Sequence, residues 1–108
     1  MATMDTKEKF TFLHGLELVQ VCVGQHQIIL NFEKDASVTL ECDYEVNGAV
    51  GDVLAVLSLL GKSATNVNGD STGKVEISFT NGSVVVLIPR MDGMESYQMA
   101  APGKFIVF

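Results

Sequence analysis

The sequence predicts an α+β domain that is mainly antiparallel β, with two three-strand meanders plus a C-terminal hairpin and one short helix packed on the sheet. Three features of the chain lead there. Apolar and polar residues alternate through most of it from Leu16 onward, as half-buried strands require. Between Asn47 and Gly61 the apolar spacing changes to a helical one. Polar stretches containing glycine, asparagine or proline interrupt the runs at strand-length intervals.

Leu16 to Val23 (LELVQVCV) forms a first strand, and Gly24-Gln25 supplies the two-residue Gly-X loop of a type II′ hairpin. His26 to Phe32 returns with Ile28, Leu30 and Phe32 on one face. Glu33 to Ala36 makes a polar turn, and Ser37 to Tyr44 places Val38, Leu40, Cys42 and Tyr44 together. Val50, Val53, Leu54, Leu57 and Leu60 then line up as one helical stripe, with Asn47 as N-cap, Asp52 near the positive dipole end, and Gly61-Lys62 at the stop.

The β pattern resumes with Ser63–Val67, a loop over 68–73, and Lys74–Phe79. Asn81-Gly82 offers the two positive φ values of a type I′ turn into Ser83–Ile88. Pro89 to Gly93 breaks the run; Glu95–Met99 and Lys104–Phe108 form the last hairpin around Pro102-Gly103. HQIILNFEKDASVTLE and KVEISFTNGSVVVL share a strand ending in Phe, a polar turn and a Ser-Val return, which reads as two related units joined by the helix.

With 108 residues, 47% of them hydrophobic and 19% charged, the chain reads as one folded domain spanning 1–108, with 1–14 as a flexible N-terminal arm. Thirteen acids against seven bases give a net charge of −6 and a pI near 4.6. Such a field repels phosphate backbones and anionic lipid, and attracts basic proteins. Direct nucleic-acid and membrane partners are therefore disfavoured. Met1 to Gly15 has scattered charges and no apolar run, unlike a signal peptide, and no later stretch has the length of a membrane span. Cys22 and Cys42, each alone in an alternating run, read as buried free thiols of a cytoplasmic protein.

No reaction is spelled out. The chain has no G-x-S-x-G elbow, phosphate-cradling glycine loop, C-x-x-C or H-E-x-x-H. His14 and His26 are isolated, and Cys42 sits between Glu41 and Asp43, where a thiolate is disfavoured. No enzyme activity, cofactor or metal is expected. Glu41, Asp43 and Glu45 in LECDYE fall on one side of an extended strand, about 6–7 Å apart, and carboxylates in that array splay too far to enclose a cation. They form a solvated stripe, and its functional reading is a recognition surface, joined by Glu33 and Asp35 from the neighbouring turn. Met91, Met94 and Tyr97 are the candidate apolar anchors, whereas Met99 reads as core.

Leu59-Leu60-Gly61, Phe79-Thr80-Asn81-Gly82-Ser83 and Glu95-Ser96-Tyr97 resemble a group of small, uncharacterised bacterial proteins classed as a domain of unknown function. That group has a helix ending Leu-Leu-Gly, a Phe-x-(Asp/Asn)-Gly hairpin and a Tyr-Glu-x-Trp motif. Here Glu95 matches the Glu, while Met94 and Tyr97 stand at the aromatic positions. The resemblance covers roughly the last sixty residues. It implies a small, non-enzymatic, mainly β bacterial protein with an immunity or inhibitor role. The leading expectation is thus a protein-binding domain offering an acidic surface to a basic partner such as a toxin. A small-molecule-binding β domain, or a subunit that self-associates as a homodimer through Lys104–Phe108, are the rivals.

Overall fold

The computed structural model describes residues 11–108. Buried and exposed residues alternate along most strands, so each sheet has one wet face and one dry one. After a 3-10 turn at Thr11–Leu13 come β1 (Leu18–Val23), β2 (Ile28–Phe32), β3 (Ser37–Leu40), β4 (Asp43–Val46) and β5 (Ala49–Val50). Helix α1 (Val53–Leu57) separates these from β6 (Ala64–Gly69), β7 (Val75–Phe79), β8 (Val84–Ile88), β9 (Tyr97–Ala101) and β10 (Lys104–Val107). The protein is mostly antiparallel β with one short helix. Leu13 is fully buried, so the arm expected over 1–14 has its last residues anchored in the core; residues 1–10 lie outside the described part.

Two five-stranded sheets, ordered β1-β2-β3-β9-β10 and β5-β4-β8-β7-β6, face each other across one shared apolar core. The halves of the chain exchange partners. Each half supplies a three-strand meander to one sheet and a two-strand hairpin to the other, joined by β3–β9 and β4–β8 pairing. Phe32 and Phe79, the phenylalanines that precede the two matching turns, stack across the core with ring centroids 6.2 Å apart.

The run expected as one strand over Ser37–Tyr44 is broken at Glu41-Cys42, where the chain leaves the first sheet and enters the second. Alternation survives the break because both sheets bury side chains in the same core: Val38, Leu40, Tyr44 and Val46 are all buried. A strand that switches sheets is the usual way to turn such a corner.

Several local expectations are corrected. The helix covers five residues, not most of 47–61; its N-cap is Asp52, whose Oδ1 accepts from the Ala55 N–H at 3.0 Å, while Asn47 sits in a turn at φ 52°. Most of the expected inward stripe points outward: Val50, Leu54, Leu57 and Leu60 are exposed, Val53 is half-buried against the core, and Val56 and Leu59 are buried instead. In less than two turns of helix the chain ends, not the periodicity, decide which face goes in.

The β1–β2 loop spans four residues, closed by the Gly24 N–H on the Gln27 carbonyl at 2.8 Å, and so is not a two-residue II′ turn. Between β7 and β8 only Gly82 is left-handed. The Gly82 N–H donates to the Phe79 carbonyl and the Phe79 N–H to that of Ser83, the three-residue loop with a bulge rather than type I′. The left-handed pair instead falls on Lys34 and Asp35, both at φ 59°.

The pairing registers fix the two outer faces. On the first sheet, Cys22, Ile29, Thr39, Gln98 and Val107 form one cross-strand row, and Gln20, Asn31, Ser37, Ala100 and Phe105 the next. Neither row contains a charge. On the second sheet Glu45, Val86, Glu76 and Asn68 form a row, with Asp43 beside Ile88.

Candidate functional site

At the corner where β3 becomes β4, an open cleft of about 810 Å³ lies between the β1–β2 loop and the loop that follows β8. Its apolar lining is Ile28, Leu40, Tyr44, Val53 and Ile88; its polar lining includes His26, Glu41, Cys42, Asp43, Arg90 and Asp92. The switch of sheets creates the opening, because at Glu41-Cys42 neither sheet continues.

Ser96 fixes the rim. It is buried, its N–H donates to the Phe108 carbonyl at 2.6 Å, its carbonyl accepts from the Glu41 N–H at 2.8 Å, and its hydroxyl accepts from the Arg90 N–H at 2.7 Å. One residue, through its backbone and its hydroxyl, therefore ties the crossover, the β8–β9 loop and the chain segment after β10 together. Arg90 grips Asp92 with two nitrogens, Nε at 3.2 Å and a terminal nitrogen at 2.5 Å. That hydrogen-bonded pairing holds the Asp92 carboxyl below its ordinary range and raises Arg90.

Glu41 and Asp43 have no side-chain hydrogen-bond partner among the described residues, but the Arg90 guanidinium, already bound to Asp92, feels the Glu41 charge, so the cleft sets two carboxylates beside one shared cation over an apolar floor. Cys42 is a weak nucleophile at neutral pH. Burial, with the Asp43 charge adding to it, pushes the thiol up to about 11, which leaves it protonated at neutral pH. Among the described residues no three His, Cys, Asp or Glu side chains gather into a group able to hold a metal ion. Nor is any described helix long and apolar enough to cross a membrane.

The structure sorts the residues expected to bind a partner. Asp43 is exposed and Glu45 half-buried on the outer face of the second sheet, with Glu41 at the corner beside them. Glu33 and Asp35 sit at the opposite end of β3, about 20 Å away at 3.3 Å per residue, so they do not join that surface. Glu33 is instead structural, its Oε1 accepting from the Glu17 N–H at 2.8 Å. Tyr97 is corrected outright: it is 1% exposed, its hydroxyl donates to the Gly73 carbonyl at 2.9 Å, and its ring stacks on Phe108 at 5.7 Å. Such a side chain has no surface left for a partner. Met91 and Met94 are exposed, Met91 at 97%, and Met99 is core.

Glu76 is the residue that sequence reasoning missed. It faces outward from β7, one strand beyond Val86 from Glu45. The alternation of KVEISF marks it as outward, but only the β4–β8–β7 order brings it next to the LECDYE acids. His14 accepts the Val67 N–H at Nε2 at 3.2 Å, a structural use of its imidazole. The chain matches no protein-family model, no curated protein and no solved structure.

Proposed function

We propose that this is a non-catalytic protein-binding domain that receives a basic partner on the outer face of the second sheet and the adjoining cleft. The observation that carries the reading is the gathering of Asp43, Glu45 and Glu76 on one sheet face whose strands contribute no lysine or arginine, with Lys74 just before β7 beside Glu76 and with Glu41 at the adjoining corner. Fixed like charges of this kind raise the association rate of an oppositely charged protein and select against acidic ones. Met91 and Met94, exposed beside the cleft, are the apolar anchors on which affinity depends. Within that reading, an immunity or inhibitor protein that occupies the basic groove of a bacterial toxin is the specific role. It agrees with the chain's acidity and with the resemblance of its second half to small bacterial domains. The free thiols Cys22 and Cys42 fit a cytoplasmic site of action.

The test is a pull-down from the source cells with the wild type and a Glu41→Lys/Asp43→Lys/Glu45→Lys/Glu76→Lys variant, followed by titration of the recovered protein over salt. A basic protein should bind the wild type, weaken about 10- to 100-fold between about 50 and 300 mM salt, and be lost from the variant. Equal recovery of every protein by both forms sinks the reading.

The cleft itself favours a second reading, a small-molecule site, because about 810 Å³ over an apolar floor is within the usual ligand range of roughly 300–1,000 Å³. Ligand binding there should be nearly independent of salt.

A further inference from the structure

Among the described residues one sheet edge carries few of the features that normally keep edges apart. β1 is the outermost strand of the first sheet; Leu18 is tied to the segment after α1 by the Gly61 N–H at 2.8 Å and the Lys62 carbonyl at 2.9 Å, and beyond it the outer edge of β1 pairs with no strand. Natural edges are guarded by charges, prolines or bulges. Here only a bulge between Leu18 and Gln20 interrupts the edge, and no charged residue occurs from Leu18 to Phe32. Val19 and Val23 on that strand are 51% and 54% exposed.

The segment tied to Leu18 ends an outward ridge formed by α1 and its following turn, Leu54, Leu57 and Leu60, with Leu54 at 78% exposure. The stretch Val53–Gly61 also contains no charge. Apolar surface of a few hundred Å² collected in one place marks a contact surface on a soluble protein.

We propose that the β1 edge and the leucine ridge form the contact through which two copies of this chain associate. Charge identifies the occupant. Two chains of net charge −6 repel, and they approach at least cost where neither presents a charge; the second sheet would oppose Asp43, Glu45 and Glu76 to their own copies. Antiparallel pairing of two β1 edges about a twofold axis is self-complementary and sets the ridges alongside one another. The surface is at the small end of interface sizes, so the dimer is reversible.

Sedimentation equilibrium of the whole chain from about 1 to 500 µM, a range suited to a small interface, tests this. The mass should rise to twice 11.6 kDa, and the dimer should tighten with salt as repulsion is screened, opposite in sign to the binding of a basic partner. Val19→Glu/Leu54→Glu, at two exposed positions, should weaken the dimer at least about 100-fold, since each charge enters the twofold contact twice. Leu54→Ser alone serves if the double variant loses its far-UV signal, with a smaller loss expected. Phe105→Glu on the other open edge should change nothing.

A monomer at every concentration overturns the proposal. So does a dimer that survives the folded Val19/Leu54 variants, and so does one abolished by Phe105→Glu, which would place the contact at β10. Protease release of residues 1–10 from the Leu54→Ser variant but not from the wild type would make that segment the occupant instead.

Discussion

The outer faces of the two sheets are built on the same alternation and carry different charge. On the first sheet two complete rows across five strands hold no charge, being half Ser, Thr, Asn and Gln and half apolar side chains or cysteine. On the second, carboxylates stand at Asp43, Glu45 and Glu76, and the crossover puts Glu41 at their margin. The difference teaches that sheet order gathers part of the chain's acidity: four of its thirteen acids, Glu41, Asp43, Glu45 and Glu76, meet on or beside the outer face of the second sheet, whereas the cross-strand rows of the first carry none. Under the readings proposed above the two sides suit different partners, a basic macromolecule on one and a second copy of the chain on the other.

The comparison collapses most completely if the core that holds both faces is opened. Tyr97 belongs to β9 of the first sheet, and its hydroxyl reaches the Gly73 carbonyl in the β6–β7 loop of the second. Tyr97→Ala should cost about 4 kcal/mol, the range for deleting a buried aromatic ring, and should abolish basic-partner binding and dimer formation together. Tyr97→Phe, which removes only the hydroxyl and leaves the Gly73 carbonyl without its donor, should cost about 1–2 kcal/mol. Urea unfolding measures both. A full-strength Tyr97→Ala variant that loses only partner binding would return this residue to the surface role first expected of it.

Cys42 lies at the corner where the two faces meet; like Cys22 it is half-buried where the sequence predicts a buried thiol, and that partial burial holds it up at about 11. A thiol shifted up by about two units from 9.0 has about 100-fold less thiolate near pH 8, partly offset by about tenfold greater nucleophilicity, so alkylation should be about tenfold slower than that of free cysteine. The same shift sets a pH dependence. The unfolded chain releases this proton near its ordinary value and the folded chain only near 11, so the stabilisation is intact below about pH 9 and is lost as pH rises toward 11. Tyr97, raised by burial to about 12 from 10.0, continues the loss at higher pH. Denaturation midpoints across this alkaline window should fall in wild type and fall less in Cys42→Ala. Rapid alkylation of Cys42 in the folded protein would mean an electropositive corner, and the cleft would then need a catalytic reading.

Much of this was legible in the residues. Inward parity along Val38, Leu40, Tyr44 and Val46, the hairpin about Asn81-Gly82, and Met99 as core all follow from local alternation and turn chemistry. The change of partner at Glu41-Cys42 does not, because a strand that leaves one sheet for another across a shared core keeps its alternation and gives no local sign. For the same reason Glu76 could be read as outward but not as a member of the Glu45 row. The helix misled for a different reason. Val50, Val53, Leu54, Leu57 and Leu60 fit a helical stripe, yet β5 takes the first of them and only Val53–Leu57 is helical. Burial was then decided by where β5 and β6 place the ends, which buries Val56 and Leu59 and leaves the ridge exposed.

The smallest expected effect tests whether the acids at the far end of β3 share in the acidic face. Lys34 and Asp35 occupy the centre of the β2–β3 turn at φ 59° each, a conformation in which a side chain meets its own backbone at a cost of roughly 1 kcal/mol or more for lysine and less for aspartate. The Ala36 N–H donates to the Glu33 carbonyl at 3.3 Å, which closes the tight turn that Asn-Gly accepts without strain. Lys34→Asn/Asp35→Gly should therefore raise stability by about 1 kcal/mol, or about 4–8 °C in Tm. Lys34 and Asp35 have opposite charges, so net charge is unchanged, and any change in basic-partner affinity would come from the local loss of Asp35. Because the turn is about 20 Å from Glu41, that affinity should stay within about twofold of wild type. A large drop would extend the acidic surface along the whole of β3 and redraw the boundary between the charged and neutral sides.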